Sequence, residues 1–388
     1  MANTLTGLIP TLYESLDLVS REFVGFIPAV QRDNGNFARA AVGQVVSVPI
    51  VPAVTAANIV PGVTAPNDGD QVLTTVNMQL NNAKYVPIRW NGEEQLGLNN
   101  GGPGVSPILR NQFAQAFRTL TNAVEASVSA AAIVAASRAV GTAGTTPFAT
   151  AANLNDTAGV ARILDENGAP MTDRHLVLSS PAMSNIRGTQ ANLFKVNEAG
   201  TDDLLRRGSI GELEGFALHY SPTANKLVTG GTGTGFVTGA AYPIGTTVIA
   251  VGTGTGTINA GDIVRFAGDT NQYVVVTGTT GPGSITIGVP GLKVAAASGA
   301  AITIVGSYTP NVAFTRDAIV LATRAPAEPQ FNGITGDMAD DAELITDEFS
   351  GLTFEVRVYR QYRQIKFEVG LVWGSAVIKQ DHVAILEG

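Results

Sequence analysis

The chain has 388 residues, a formal net charge of −8, no cysteine, and 14% charged residues where a typical soluble protein has about 25%. The acidic balance argues against a nucleic-acid binder that works by neutralising phosphates, and the lack of cysteine excludes disulfides and thiolate metal sites. The sequence contains no secretory signal and no run of about 20 apolar residues, so we expect a soluble chain made in the cytoplasm, without a membrane partner.

The first 44 residues are predicted to form an N-terminal arm. Residues 11–23 place apolar side chains at helical spacing, which predicts a short helix with one apolar face. That face consists of Leu12, Leu16, Val19 and Phe23. Residues 24–44 contain Pro28, Gly35 and Gly43 and show no period, so we expect an extended segment whose partners lie elsewhere.

Residues 45–90 are predicted to form a long hairpin. Strand-like runs at 45–54 and 72–90 flank a turn-rich loop, residues 55–71. Long loops inside compact folds are usually functional, and a hairpin is unstable alone, so we expect this one to lie on a neighbouring subunit. The loop residues predicted to make that contact are Asn58, Val60, Asn67 and Asp68.

Residues 91–140 contain the strongest helix signal in the chain. Ser106 is the predicted N-cap, Pro107 the first helical residue, and Gly141 the C-terminal stop. Such a helix would span about 45–50 Å. Its apolar stripe consists of Leu109, Phe113, Phe117, Leu120, Val124 and Val128.

A mixed α/β pattern follows at residues 141–226 and resumes at 308–350 after an interruption. The predicted elements are a helix at 155–167, a strand at 175–180, a helix from Pro181, a strand at 216–222 and a strand-like segment at 311–326. The two parts are predicted to belong to one domain, which the intervening residues divide.

The interruption, residues 227–307, differs from both flanks because it carries almost no charge. Short Val, Ile and Thr runs alternate with Gly, Asn and Pro breaks, the pattern of a small all-β unit. Its charged side chains are Asp262, Arg265, Asp269 and Lys293. Gly-Thr repeats such as 231–235 are similar to phosphate loops, but no helix start follows them, so they are interpreted as β-turns.

Residues 351–388 alternate apolar and polar side chains, which predicts β-strands. The acidic run before them, residues 336–348, lacks the spacing of a calcium loop and is interpreted as a solvated face. In the alternative interpretation, its carboxylates pair with Arg357, Arg360, Arg363 or Lys366 of another subunit. The residues considered for that contact are Asp340, Asp341, Arg357 and Arg360.

Nothing in the sequence supports catalysis. His175, His219 and His382 have no partners at metal-ligand spacing, and we interpret them as structural. Motifs of nucleophile elbows, nucleotide-binding loops and zinc proteases do not occur. We therefore expect a non-enzyme without a cofactor.

Two local motifs and the order of the elements resemble a known family. The segment DDLLRRGSIGELEGFALHYSP, residues 202–222, leads through Gly-x-Leu-x-Gly-Phe into a strand that ends in Ser-Pro. This segment and the element order resemble the major capsid proteins of tailed bacteriophages, which have the HK97-like fold. The motif GDIVRFAG, residues 261–268, is similar to a strand in the inserted domain of coat proteins from short-tailed Salmonella phages.

The resemblance implies an α+β fold of the HK97-like class with an all-β insertion. Its parts are an N-arm (1–44), an E-loop hairpin (45–90), a spine helix of the peripheral domain (91–140), an axial domain (141–226 and 308–350), an inserted β-barrel (227–307) and C-terminal strands (351–388).

The resemblance also implies a function and its partners. We expect a coat protein that assembles, as hexamers and pentamers of itself, into the icosahedral head of a virion in the host cytoplasm. A scaffolding protein, a portal and a decoration protein are expected partners, and the shell would enclose double-stranded DNA without reading its sequence. The alternatives are a Gly/Thr-rich adhesin or tail-fibre module, and an encapsulin-type shell loaded with an enzyme.

Overall fold

The computed structural model describes residues 24–33, 39–51, 54, 56, 58–64, 73–101, 105–190, 211–222, 224–331, 334–346 and 352–388. The predicted helix at 11–23 lies outside these residues. The described helices are α1 (Gly92–Gly101), α2 (Val105–Ala135), α3 (Asn155–Glu166) and α4 (Ser180–Gly188).

The strands fall into three stretches of the chain. The first stretch contains β1 (Gln31–Arg32), β2 (Arg39–Ala40), β3 (Val45–Ile50), β4 (Thr74–Gln79), β5 (Asn82–Asn91), β6 (Arg138–Gly141), β7 (Arg174–Leu178), β8 (Glu212–Leu213) and β9 (Phe216–Tyr220). The second contains β10 (Phe236–Val237), β11 (Val248–Val251), β12 (Thr257–Ile258), β13 (Ile263–Phe266), β14 (Gln272–Thr277), β15 (Thr279–Thr280), β16 (Gly283–Ile287) and β17 (Ala301–Ile304). The third contains β18 (Pro310–Thr315), β19 (Ile319–Pro326), β20 (Gln330–Phe331), β21 (Ile334–Thr335), β22 (Asp341–Thr346), β23 (Thr353–Gln361), β24 (Gln364–Val377) and β25 (Val383–Glu387).

The long helix α2 packs on a seven-stranded sheet built around β24. That strand pairs with β5 along one edge, and with β23 and then β19 along the other. Phe113 meets Phe367 and Phe117 meets Phe354 edge-on, each pair with ring centroids 5.3 Å apart. The predicted apolar stripe of the helix is confirmed, because all six of its residues are buried.

The ends of α2 differ from the prediction. The helix begins at Val105, one residue before the predicted N-cap, and its 31 residues span about 46 Å. It ends at Ala135 rather than near Gly141, because Ser137 turns the chain by donating both its backbone N–H and its hydroxyl to the carbonyl of Val383. Residues beyond that turn form β6, which pairs in parallel with β25.

A second helix, α1, precedes α2 and was not predicted. A capping box begins it: the N–H of Glu94 donates to Asn91 Oδ1 at 2.7 Å, and the N–H of Asn91 donates to Glu94 Oε2 at 3.3 Å.

The predicted hairpin divides into two parts. The strands β3 and β4 pair in antiparallel register from Val45 with Gln79 to Ile50 with Thr74. The pairing breaks off where β4 ends at Gln79, and β5 joins β24 in the large sheet instead of extending β4. Gly374 lies at this break, where a Cβ atom would come within 2.3 Å of the Gln79 carbonyl oxygen.

A twelve-stranded sheet forms the other half of the molecule. Its central order is β14-β6-β25-β18-β7-β9-β8, and α3 and α4 pack against it around a separate apolar cluster that includes Leu164, Leu176 and Ile186. The strands at 174–178 and 216–220 and both helices agree with the predicted elements. The chain crosses between the two sheets at the short 3-10 turns Arg316–Ala318 and Gln380–His382.

The segment predicted as the second part of the axial domain, residues 308–350, is shared between the sheets. Of its described strands, β18 alone lies in the twelve-stranded sheet, while β19 and β22 lie in the seven-stranded sheet with β24. The reason is the turn at Arg316–Ala318, which carries the chain from one sheet to the other.

The low-charge region folds as a six-stranded barrel in the order β10-β17-β13-β14-β16-β11. It closes where β10 meets β11, with Gly239 N 2.7 Å from Ala250 O and Gly252 N 2.9 Å from Val237 O. The interior is apolar and includes Phe236, Ile249 and Val264. The barrel is continuous with the large sheet, because β14 also pairs with β6 through Tyr273 and Arg138.

Candidate functional site

The hairpin loop between β3 and β4 exposes a cluster of apolar side chains. Val54 is 66% exposed, Ile59 97% and Val60 79%, and Asn58 is exposed beside them. Exposed apolar residues gathered on one loop are typical of a surface that another protein covers. The other two predicted contact residues of this loop, Asn67 and Asp68, lie outside the described residues.

A buried carboxylate holds the segment that leads into β1. Glu125 on α2 is 0% exposed, and it accepts hydrogen bonds from the backbone N–H groups of Gly25, Phe26 and Ile27 at 2.9–3.0 Å. The hydroxyl of Ser221, after β9, donates to the same carboxylate at 3.0 Å. We call these four donors and Glu125 the carboxylate clamp.

The carboxylate clamp contradicts the prediction that residues 24–44 find all their partners elsewhere. The side chains of Phe26, Ile27 and Val30 are at most 1% exposed within their own subunit. Burial raises the pKa of Glu125 to about 6, and its four hydrogen bonds oppose that shift. Consecutive N–H groups that converge on one carboxylate fix the path of the chain at this point.

A second set of polar contacts holds the next residue of the same segment. Arg316, in the turn between the two sheets, donates from Nη1 to the carbonyl of Pro28 at 3.0 Å and from Nε to Asp173 at 2.8 Å. His175 lies 2.9 Å from Asp173 through Nε2 and 2.9 Å from His219 Nε2 through Nδ1. We call these residues the histidine relay.

Arg316 contacts both Asp173 and His175 in the histidine relay. Arg316 holds the pKa of Asp173 below its usual range, so this carboxylate is ionised and only accepts. The Nε2 of His175 lies between this acceptor at 2.9 Å and a donor, Arg316 Nη2, at 3.2 Å, and its Nδ1 faces Nε2 of His219 at 2.9 Å. Burial lowers the pKa of His175, and burial together with the neighbouring His175 lowers that of His219 to about 4.

An aromatic stack joins the two sets of contacts. The ring of Phe26 stacks on Phe314 at 6.0 Å, and Phe314 lies 6.0 Å from the ring of His175. The interpretation of the histidines as structural agrees with this packing. Among the described residues, no group of three or more His, Asp or Glu side chains is placed to hold a metal ion.

Three of the four residues considered for contacts between subunits, Arg357, Arg360 and Asp340, pair within the chain. Arg357, 7% exposed, contacts Glu355 at 2.9 Å, Asp337 at 2.8 Å and also Glu328. Arg39 joins this network through Glu328 and Glu355, each at 2.7 Å. The alternating pattern of β23 did not indicate that its charged face would be covered in this way.

The neighbouring pair is more open. The N–H of Arg360 donates to Asp340 at 2.6 Å, and their side chains lie 3.6 Å apart. Asp341 is exposed and accepts from the N–H of Ala342. Contacts of these residues with another subunit stay a prediction.

The Gly-Thr run at the start of the barrel binds a side chain of its own barrel. The N–H of Gly231 donates to both oxygens of Asp262 at 3.1 Å, and the N–H of Asn259 donates to Asp262 at 2.7 Å. A Cβ atom at position 231 would lie 2.5 Å from that carboxylate. The carboxylate thus ties the Gly-Thr run to the turn at Asn259.

Sequence reasoning missed the role of Glu125, although the sequence carries a signal for it. It lies on α2 among Val124, Val128 and a run of alanines, and a carboxylate on an apolar helix face indicates a buried polar partner.

No described helix is both long enough and apolar enough to span a membrane.

Comparisons with known proteins identify the fold. No protein-family model and no curated protein matches the sequence. The structure is similar to one in the capsid of the cyanophage P-SCSP1u, with a TM-score of 0.50 and 11% identity over 94% of this chain and 88% of that chain.

Two further structures are similar at lower scores. One comes from Mycobacterium phage Che8 (TM-score 0.47, 12% identity, 89% of this chain and 84% of that chain). The other is a virus-like particle from Pyrococcus furiosus (TM-score 0.45, 9% identity, 97% and 98%). The likeness to the cyanophage capsid confirms the predicted α+β fold of HK97-like capsid proteins. The narrower resemblance to coat proteins of short-tailed Salmonella phages stays a prediction.

Proposed function

We propose that this chain is a major capsid protein of a tailed bacteriophage and assembles with copies of itself into an icosahedral shell around double-stranded DNA. The observation that carries the proposal is the likeness of its fold to a cyanophage capsid structure over 94% of the chain. The function is association rather than catalysis, in agreement with the low content of charged residues.

In this proposal the hairpin loop supplies a contact between subunits. Ile59 and Val60 would bury their exposed side chains on a neighbouring copy, and Asn58, Asn67 and Asp68 are proposed to contribute to the same contact. At the far end of the sheet, Arg360, Asp340 and Asp341 are the candidates for a polar contact. Arg357 would act within its own chain by holding β23 to the segment that contains Glu328.

The proposed partners follow from the shell. A scaffolding protein would guide assembly inside the host cytoplasm, a portal would replace one group of subunits, and a decoration protein would bind the outside. The formal charge of −8 favours enclosure of DNA without tight or sequence-specific binding. We propose that the barrel, residues 227–307, is a folded insertion that stabilises the adjoining sheet through β14 and β6.

A pair of matched variants tests the proposal. The chain is produced with the products of its neighbouring genes, and particles are counted by electron microscopy. Val60→Asp is expected to abolish shells because a charge would be buried between subunits, while Val248→Asp, on the barrel where Val248 is 55% exposed, is expected to leave them intact.

The outcomes distinguish the candidate functions. Wild-type chain that stays monomeric under all assembly conditions contradicts the proposal. Shells that contain a co-purified enzyme instead of DNA support the encapsulin alternative, and elongated protease-resistant trimers support the adhesin alternative.

A further inference from the structure

Residues 24–33 connect the two large sheets of the molecule, and we call them the strap. The first part of the strap lies on the twelve-stranded sheet, where the ring of Phe26 stacks on Phe314 of β18. Gly25 approaches the end of β9 so closely that a Cβ atom at this position would lie 2.7 Å from the Cβ atom of Ser221. A side chain at position 25 would therefore push the strap away from this sheet.

The last part of the strap belongs to the seven-stranded sheet. It contains β1, which pairs in parallel with β19, so that Arg32 lies opposite Leu321. The N–H of Asp33 continues this pairing by donating to the carbonyl of Leu321 at 3.1 Å, and the carboxylate of Asp33 forms an ion pair with Arg324. The two ends of the strap are thus fixed to different sheets.

Between its ends, the strap passes the turn at which the chain crosses from one sheet to the other. Arg316 of that turn donates to the carbonyl of Pro28. The second crossing, Gln380–His382, begins beside the first, because the N–H of Ile378 donates to the carbonyl of Ala318 at 2.7 Å. Short turns at the ends of elements are the places where a change in the angle between two parts of a protein is absorbed.

The strap is also fastened to α2, which packs against strands of both sheets. Glu125 of this helix accepts from three consecutive N–H groups of the strap. The side chains of Phe26 and Ile27 lie in an apolar cluster that includes Val312 of the twelve-stranded sheet and Leu371 of the seven-stranded sheet. The strap therefore fills part of the space between the sheets as well as joining them.

We propose that the strap is a conformational device that fixes the angle between the two sheets, and that its release lets the sheets turn about the two crossings. Its successive parts hold the twelve-stranded sheet, the first crossing and the seven-stranded sheet, so a change of angle has to break at least one set of contacts. Residues 1–23 directly precede the strap. A partner that binds them more tightly at one angle than at another would shift the subunit toward that angle. The device belongs to the single subunit and does not depend on shell formation.

The test measures the distance between the two sheets in the full-length chain. Nitroxide labels are attached at Glu212→Cys on β8 and at Gln361→Cys at the end of β23, two exposed positions on different sheets. The chain has no cysteine of its own, so only these two positions are labelled. Double electron–electron resonance in an excess of unlabelled chain measures the distance within one subunit. One narrow distribution of distances is expected while the strap is in place.

Gly25→Ala is expected to release the strap, because the added Cβ atom would also lie 2.9 Å from the carbonyl oxygen of Tyr220. Hydrogen exchange at the amides of residues 25–27 should become at least about tenfold faster, and the distance distribution at least about twice as wide. Glu125→Ala removes the acceptor of these amides and should have the same two effects. The matched control Gly92→Ala adds a Cβ atom where no other atom lies within 4 Å, and it should change neither measurement.

The two measurements together decide the proposal. Fast exchange with an unchanged distance distribution would show that α2 and the two crossings fix the angle by themselves, which overturns it. Amides that stay protected in both variants overturn it as well, because the described contacts then do not hold the strap. Circular dichroism checks that each variant keeps the native fold. If Glu125→Ala unfolds, Gly25→Ala still decides the question, since it removes no buried polar group.

Discussion

The carboxylate clamp and the histidine relay hold neighbouring residues of one segment by opposite chemistry. In the carboxylate clamp, a fully buried acid on α2 accepts from three N–H groups of residues 25–27. In the histidine relay, Arg316 donates to the carbonyl of the next residue, Pro28, and is itself held by Asp173. One set of contacts thus presents an anion to the segment, and the other presents a cation.

The difference decides how each region responds to pH. The pKa of Glu125 is raised to about 6 in the folded chain, so the folded state binds the proton more tightly than the unfolded state and loses stability as pH rises through about 6. The pKa of His219 is lowered to about 4, so the folded state loses stability as pH falls below about 6.5. Between pH 4.5 and 6 the two contributions have opposite slopes.

Removing the carboxylate is expected to have the largest effect. Glu125→Ala leaves three N–H groups and the Ser221 hydroxyl buried without an acceptor, and we expect the free energy of unfolding to fall by about 3–5 kcal/mol. Urea denaturation of the unassembled chain at pH 7 measures this loss. Glu93→Ala, at an exposed position in the first turn of α1, should change it by less than about 0.5 kcal/mol. A loss below about 1 kcal/mol for Glu125→Ala would show that the segment is held mainly by its apolar side chains.

The next largest effect is the loss of stability that we expect at acidic pH because of His219. A pKa of about 4 against an ordinary value of 6.5 corresponds to at most about 3 kcal/mol of stability, lost as pH falls from 6.5 to 4. His219→Gln keeps a side-chain amide that can donate to or accept from His175 Nδ1 but does not titrate, so its stability should fall less over the same interval. NMR titration of the wild-type imidazole checks the cause directly, and a His219 that titrates above pH 6.5 contradicts the assigned environment.

Through the carboxylate clamp, the free energy of unfolding should change by a smaller amount and with the opposite dependence on pH. A rise of the Glu125 pKa from 4.5 to about 6 corresponds to about 2 kcal/mol, which is present below pH 4.5 and lost as pH rises through 6. The difference in free energy of unfolding between the wild type and Glu125→Gln should therefore change by about 2 kcal/mol between pH 4.5 and 7, at the expense of the wild type. A constant difference over this range would mean that Glu125 has its ordinary pKa.

The sequence predicted those parts of the molecule that depend on local pattern. The stripe on α2 from Leu109 to Val128 and the alternation in β23 and β24 are periodic, and the apolar side chains of each period are buried, although β23 buries Glu355 and Arg357 as well. The helix α1 was within reach, because Asn91 and Glu94 form a capping box at the standard spacing.

The carboxylate clamp and the histidine relay could not be predicted in the same way. Glu125 meets its donors 98–100 positions earlier in the chain, and Arg316 meets Pro28 at a separation of 288. No local pattern records such a pairing, since it depends on how α2 and the crossing between the two sheets are placed in space.

The smallest expected effect tests whether the two regions act as one. Arg316 is 35% exposed, and water can replace part of its contacts, so Arg316→Gln should cost about 1 kcal/mol or less. Residues 25–28 are contiguous, and Phe26 and His175 both contact Phe314, so loosening one set of contacts should weaken the other. A double-mutant cycle of Glu125→Gln and Arg316→Gln is then expected to show a coupling of about 0.5–1 kcal/mol. If the two free-energy changes are strictly additive, Glu125 and Arg316 are not coupled through Ile27 and Pro28. The segment is then held by two independent sets of contacts.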